Sequence, residues 1–230
     1  MKKVSAAEAI RAIPDGSNVV FPASTIELAA LVPAFQGEVE RFHRLTLYSG
    51  YSFGDYRFLA HGLGSHFRYA SWQAAPHIRH LFAEGKADYV PMRFGEVTRI
   101  VSKSGPIQPH VVLVQVSPPR RGYVSLGVSV SLYQDFIRSA SLVIAEINPH
   151  MPWTAGDSRV PVDRIHLGVD SDFRPARKAH PGLRVRDLSA LVATLRDAGY
   201  EVSQEEALAG VRRVFVADPF GNRLELIESR

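Results

Sequence analysis

Val111-Val112-Leu113-Val114-Gln115-Val116 and Ser141-Leu142-Val143-Ile144-Ala145-Glu146-Ile147 are the two stretches that decide the fold class. Both are near-continuous apolar runs rich in β-branched residues, and neither alternates. A strand with one wet face carries a polar residue at every second position; a strand covered on both faces does not. The pattern therefore predicts two strands of a mostly parallel sheet flanked by helices. Leu132 to Ser139 lies between them and reads as the crossover helix. Strand, helix, strand is the repeat of an α/β fold.

Toward the N-terminus the same alternation continues. Ser5-Ala6-Ala7-Glu8 is a capping-box pattern, followed by an apolar stripe at Ala9, Ile10 and Ile13 and a stop at Pro14-Asp15-Gly16. Asn18 to Phe21, Leu45 to Tyr48, Phe67 to Trp72 and Asp88 to Pro91 read as strands. Ser24 or Thr25 is expected to cap a helix running to about Val32, where Pro33 would stop it. Pro76 to Glu84 and Gly95 to Ile100 carry helical spacing.

Toward the C-terminus the style changes near residue 160. Ile165 to Val169 reads as a short strand, Asp172 to His180 as a basic connector with prolines, and Gly182 to Val185 as another strand. Asp187 is placed to cap a helix whose apolar face is Leu188, Leu191, Val192 and Leu195. Val211 to Ala217 and Arg223 to Glu228 flank the turn signal Asp218-Pro219-Phe220-Gly221-Asn222. This end reads as one small α+β module of the βαβββ kind. Two domains are expected, 1–163 and 164–230.

Composition excludes several function classes. Of 230 residues, 46% are apolar and 22% charged, ordinary for a soluble globular protein. The absence of cysteine removes disulfides, a thiolate nucleophile and Cys-ligated zinc. The formal net charge of +4 comes from scattered basic residues, the densest group being Arg174, Arg177 and Lys178. A nucleic-acid partner would need a basic stripe interleaved with aromatics, and none is seen. The longest apolar runs are far too short to span a membrane, and Met1-Lys2-Lys3-Val4 leads into no apolar signal core. A cytoplasmic location is expected.

The chemistry-bearing stretch of the first part is Ser117-Pro118-Pro119 with Gly122-Tyr123-Val124-Ser125-Leu126-Gly127-Val128. It follows a buried strand, at the carboxyl end where open α/β sheets hold their ligands. Glycines allow close backbone approach, and N–H groups there can hold a phosphate or an acyl carbonyl. The alternative is a turn that simply needs Gly and Pro. The residues Gln115-Val116-Ser117-Pro118-Pro119, Gly122 to Val128, Val143 to Pro149, Met151-Pro152, Gly156-Asp157-Ser158, and upstream Ala87 to Pro91 with Gly95-Glu96 occur in one order. Over residues 1–163 this order resembles the acetyl-CoA hydrolase/transferase family, which includes 4-hydroxybutyrate CoA-transferase relatives.

The resemblance implies transfer of coenzyme A between an acyl-CoA thioester and a small carboxylate. A glutamate attacks the thioester, passing through an anhydride to a glutamyl–CoA thioester. It also implies that Ser117, Pro118, Gly122, Tyr123, Ser125, Gly127, Asn148 and Met151 contact the coenzyme. The family's nucleophilic glutamate belongs to the second half of the enzyme and is not found in this chain; Glu96 and Glu146 belong to the first-half pattern and are expected to be structural or ligand-facing. At the first strand's end the family often has a glycine-rich stretch. Phe21-Pro22-Ala23-Ser24-Thr25 stands there instead, which weakens the case for a backbone anion site at that loop.

A second resemblance covers Ile165 to Glu228. Its residues are His166-Leu167-Gly168-Val169, Asp172 to Pro181, Arg184 to Leu188 and Asp218 to Glu225. They resemble the glyoxalase/bleomycin-resistance (vicinal oxygen chelate) superfamily, as the last strand of one βαβββ module and the whole of a second. In metal-using members His180 and Glu225 would ligate a divalent metal. Two ligands are too few for a catalytic metal, so a partner module would have to complete the site. A homodimer through this module is one expectation; a His at a strand start and a Glu on a solvated strand is the other.

Overall fold

A computed structural model describes residues 1–21, 26–52, 54, 56–170, 182–203, 211–217 and 223–228. In chain order the first part comprises β1 (Lys2–Lys3), α1 (Ala6–Arg11), β2 (Asn18–Val20), α2 (Leu31–Gly37), β3 (Leu45–Ser49), α3 (Phe58–Gly62), β4 (Phe67–Ser71), α4 (Arg79–Ala83) and β5 (Asp88–Tyr89). It continues with α5 (Val97–Ile100), β6 (Val111–Val116), β7 (Tyr123–Ser125), α6 (Tyr133–Ser139), β8 (Leu142–Ile147), β9 (Arg159–Pro161) and β10 (Leu167–Asp170). The second part holds β11 (Gly182–Val185), α7 (Leu188–Asp197), β12 (Val202–Ser203), β13 (Arg213–Ala217) and β14 (Arg223–Glu228). The chain divides into two compact units, Met1–Phe173 and Arg174–Arg230.

The two deciding stretches behave as expected. Every residue of β6 is buried, as are five of the six in β8. They pair in parallel from Val111 opposite Leu142 to Val116 opposite Ile147. All eight strands of this sheet run parallel, in the order β1-β10-β8-β6-β2-β3-β4-β5. The edge strands are only two residues long, and their side chains Lys2, Lys3, Asp88 and Tyr89 are exposed. Short, charged edges discourage strand addition by another chain. Beside β2, β3 and β4 the core is aromatic: Phe21, Phe35, Phe42, Phe58 and Phe67 are each at most 2% exposed. Phe35 is the hub, with ring centroids 4.9 Å from Phe42, 5.0 Å from Phe58 and 5.1 Å from Phe21.

Two expectations are corrected. The helix after β2 runs Leu31–Gly37, with Pro33 inside it, rather than ending at Pro33. Pro33 sits in the first turn, where a helical N–H has no intrahelical acceptor, so its missing donor costs nothing. Residues 22–25, with the expected cap at Ser24 or Thr25, lie outside the described residues. The strand expected at Ile165 to Val169 forms as Leu167–Asp170, but it joins the parallel sheet between β8 and β1. It is therefore a strand of the first unit's sheet and not the last strand of a βαβββ module. Its short apolar run fits a parallel strand as well as an antiparallel one, and pairing to both neighbours decides between them.

The second unit is a four-stranded sheet, β11-β14-β13-β12, with β11 parallel to β14 and the other pairs antiparallel. With α7 this is the βαβββ order read from the sequence. The Asp187 carboxylate accepts from the Ala190 N–H at 2.9 Å and caps α7. Leu188, Val214, Val216 and Leu226 form its small core, flanked by Leu191, Val192 and Leu195. The 218–222 turn and the basic connector at 171–181 lie outside the described residues.

Candidate functional site

Topology singles out one place in the large sheet. Chain order runs β2, β3, β4, β5 toward one edge and β6, β8, β10 toward the other, so connections diverge between β2 and β6. In open α/β sheets the crevice outside the carboxyl ends of such a pair is the ligand site. The chain leaving β6 here is Ser117-Pro118-Pro119; the chain leaving β2 returns at Ile26 to Ala30, after residues outside the described set.

Beneath that point lies a buried polar chain. Gln115 and Glu146 stand side by side in the β6–β8 register, at 9% and 0% exposure. The Gln115 amide donates to Glu146 Oε1 at 3.2 Å and to the Glu27 carbonyl at 2.9 Å. The Asn148 amide donates to Gln115 Oε1 at 3.2 Å. Glu146 accepts three more bonds, from the backbone N–H groups of Ala29, Ala30 and Leu31, at 2.9, 2.9 and 3.0 Å. Two strands thus hold the loop that enters α2 through one carboxylate. With four donors on its two oxygens, Glu146 is a brace between the two strands and the α2 loop. Glu96 is also structural: it accepts from the Arg93 N–H at 3.1 Å and lies 3.6 Å from Arg99.

The eight residues expected to contact coenzyme fall into two groups. Ser117, Ser125, Gly127, Asn148 and Met151 are buried and bonded to one another's segments. The Ser117 N–H donates to the Ser125 carbonyl at 2.8 Å, and the Ser125 N–H donates back to Ser117 Oγ at 2.9 Å. Ser125 Oγ accepts from the Gly127 N–H at 3.1 Å. Gly127 has φ +57°, and a Cβ there would lie 2.1 Å from Met151 Sδ and 3.0 Å from the Pro152 carbonyl. Only glycine satisfies both the left-handed backbone and the close approach. Pro118, Gly122 and Tyr123 form the second group and are exposed. The buried group shapes the loop, and the exposed group offers its surface.

Sequence reasoning missed a hydroxyl cluster at the carboxyl ends of β3 and β4. Ser49, Ser52 and Ser71 are at most 3% exposed, with Tyr69 at 1% and Tyr56 at 7%. The Ser71 hydroxyl donates to the Ser49 carbonyl at 2.8 Å, and Ser49 Oγ bonds to the Tyr69 phenol. Ser52 Oγ lies 3.3 Å from His77 Nε2. Burial pushes the Tyr56 phenol well above its ordinary pKa, with further upward pushes from Tyr69, Tyr133 and the Glu27 carboxylate. Burial likewise raises Tyr69, opposed by the Ser49, Ser71 and Ser52 hydroxyls. Both phenols therefore stay protonated at neutral pH. Neutral hydroxyls of this kind donate hydrogen bonds to a carbonyl or a developing oxyanion. The only sequence signal was Ser49-Gly50-Tyr51-Ser52 following a strand; the partner residues come from elsewhere in the chain.

A family model, the acetyl-CoA hydrolase/transferase N-terminal domain, matches residues 1–180. The chain belongs to the acetyl-CoA hydrolase/transferase family. A 4-hydroxybutyrate coenzyme A transferase of Clostridium kluyveri is 34% identical over 171 residues, 74% of this chain and 40% of that protein. A solved 4-hydroxybutyrate CoA-transferase from Porphyromonas gingivalis superposes with a TM-score of 0.60 at 25% identity, covering 79% of this chain and 42% of that one. RipA from Yersinia pestis superposes with a TM-score of 0.64 at 20% identity, which shows the shared fold, over 86% of this chain and 53% of that one. The chain thus spans about 40% of the length of its transferase relative. The acetyl-CoA hydrolase/transferase match extends past residue 163 and takes in β10, in keeping with that strand's place in the large sheet.

In the second unit, Glu225 is committed to a cation. Its Oε1 lies 2.7 Å from Arg213 Nη1, with the two side chains 14% and 20% exposed. A guanidinium on that oxygen opposes binding of a divalent metal. His180 lies outside the described residues, and among the described residues no group of three or more His, Asp or Glu side chains converges. No described helix is long and apolar enough to cross a membrane.

Proposed function

We propose that the chain is the part of an acyl-CoA:carboxylate CoA-transferase or acyl-CoA hydrolase that binds the thioester. The carboxyl ends of β2, β3, β4 and β6 form the seat of the acyl-pantetheine arm. Gln115 and Glu146 hold the α2 loop in place from below. Tyr56, Ser52 and the Ser117–Gly127 loop supply hydrogen-bond donors around the acyl group. The observation that carries this reading is the family match, and buried polar side chains gathered at the carboxyl ends of β3, β4, β6 and β8 support it.

We propose further that turnover needs the other half of the family fold, because the resemblance assigns the nucleophilic glutamate there. The 4-hydroxybutyrate CoA-transferase of Clostridium kluyveri has ample length beyond the matched region to carry it. The test uses calorimetry with acetyl-CoA and, separately, with S-acetylpantetheine, which lacks the nucleotide. Heat with both supports a thioester seat at the strand ends. No heat with either at millimolar ligand overturns the reading. Mixing the chain with a separately expressed carboxy-terminal half of the Clostridium enzyme should then give measurable transfer of coenzyme A to 4-hydroxybutyrate.

A second reading concerns the βαβββ unit that begins at Gly182, proposed as a glyoxalase-like module that pairs with a second copy. The βαβββ order, with β11 parallel to β14, supports it. Such a lone module leaves one sheet face for a partner. A strictly monomeric chain by light scattering at high concentration would remove it.

A further inference from the structure

A cleft of about 620 Å³ lies along α6, away from the polar chain at the switch point. That volume is within the range of small-molecule sites. Its walls are α6 on one side and the β7–β9 ribbon on the other, and they are held in place. Tyr123 pairs with Pro161, and the Val162 N–H donates to the Gly122 carbonyl at 2.9 Å. The Gln134 side chain clamps the ribbon to the helix, donating to the carbonyls of Asp157 at 2.7 Å and Arg159 at 2.8 Å.

The charge of this cleft is unbalanced. Arg138, Arg159 and Arg164 line it against one carboxylate, Asp157. Arg138 is bonded to Asp135 at 2.7 Å. Among the described residues Arg159 and Arg164 have no carboxylate partner. Tyr123, 44% exposed, adds a flat aromatic wall. Planar guanidinium forks match phosphate oxygens two at a time, and an aromatic ring beside them accepts a stacked base.

We propose that this cleft is a nucleoside-phosphate site, with Arg159 and Arg164 on the phosphates and Tyr123 against the base. The ligand is a free nucleotide or the nucleotide end of coenzyme A; both present the same chemistry. The inference shares Tyr123 with the loop of the thioester seat but otherwise concerns different residues, and its probe carries no acyl group, so either reading can fail without the other.

The experiment is calorimetry of the full chain with ADP, with coenzyme A and with inorganic pyrophosphate. ADP is expected to bind, and to bind more tightly than pyrophosphate; Tyr123→Ala should erase that difference. Arg159→Ala/Arg164→Ala should weaken ADP at least tenfold, while Arg11→Ala, outside the cleft lining, leaves it unchanged. The paired Arg→Lys variant keeps the charge and loses the forks, so it should recover only part of the affinity. ADP competing with coenzyme A assigns the cleft to the coenzyme's nucleotide; no competition, with ADP still lost in the double variant, assigns it to free nucleotides. Absence of ADP binding at millimolar concentration, or equal weakening by Arg11→Ala, overturns the proposal. If the double variant is misfolded, a rise in the wild-type melting temperature with ADP, and its absence with adenosine, carries the same decision.

Discussion

Glu146→Gln is the substitution that most directly tests how the site is braced. The carboxylate takes four donors, two on each oxygen: Ala29 N–H and the Gln115 amide on Oε1, Ala30 N–H and Leu31 N–H on Oε2. Glutamine keeps the shape but has one acceptor oxygen. Whichever way its amide turns, two buried donors lose their acceptor and face an NH₂ group instead. Each buried donor left unsatisfied costs about 1–3 kcal/mol. The variant also loses the charge assistance on the bonds that remain, while it no longer buries an ion. The balance is a loss of about 3–5 kcal/mol, from two unsatisfied buried donors and the weakened bonds that remain. For a domain of this size that lowers the melting temperature by roughly 6–20 °C. Urea denaturation followed by tryptophan fluorescence measures it, since both tryptophans, Trp72 and Trp153, lie in the first unit. Hydrogen exchange at Ala29, Ala30 and Leu31 should accelerate in the same variant. Glu96→Gln, at an exposed carboxylate, should change stability by less than about 0.5 kcal/mol. A Glu146→Gln loss below about 1 kcal/mol, with those amides still protected, would refute the brace.

Other outcomes follow from the same structure. Gly127→Ala puts a methyl group 2.1 Å from Met151 Sδ at φ +57°, so it should destabilise by about 2–4 kcal/mol, and Met151→Ala should recover part of that in a double-mutant cycle. Phe35→Ala removes the hub of the aromatic cluster and should cost about 3–5 kcal/mol by urea denaturation. The Glu8 carboxyl is held below its ordinary pKa by hydrogen bonds from the Ser5 hydroxyl and N–H. Its favourable contribution is therefore present above the unfolded value and lost as pH falls through the depressed one. An NMR titration should place its midpoint below that of free glutamate, and Ser5→Ala should raise it.

Two phenols and a histidine show why the site was only half legible. Ser117 and Gly127 announced themselves by following a buried strand with Gly and Pro, a local pattern. Tyr56, Tyr69, Ser52 and His77 carry no such pattern, since each reads as an ordinary loop or strand residue until β3 and β4 lie side by side. Gln115 and Glu146 stood in plain view as the polar exceptions in two apolar runs. Their partnership depends on the register that sets them opposite each other, and no single strand contains it.

The chain's own order of residues determined the parallel sheet, because two-sided burial leaves a strand with no polar face, and it determined the small βαβββ unit through one capped, one-faced helix between short strands. Tertiary structure decided where Leu167–Asp170 belongs, what Glu146 holds, and that Arg159 and Arg164 share a cleft. Local periodicity reports which faces are covered. It carries no information about which strand or charge does the covering, because those partners lie tens of residues away and meet only when the sheet has closed.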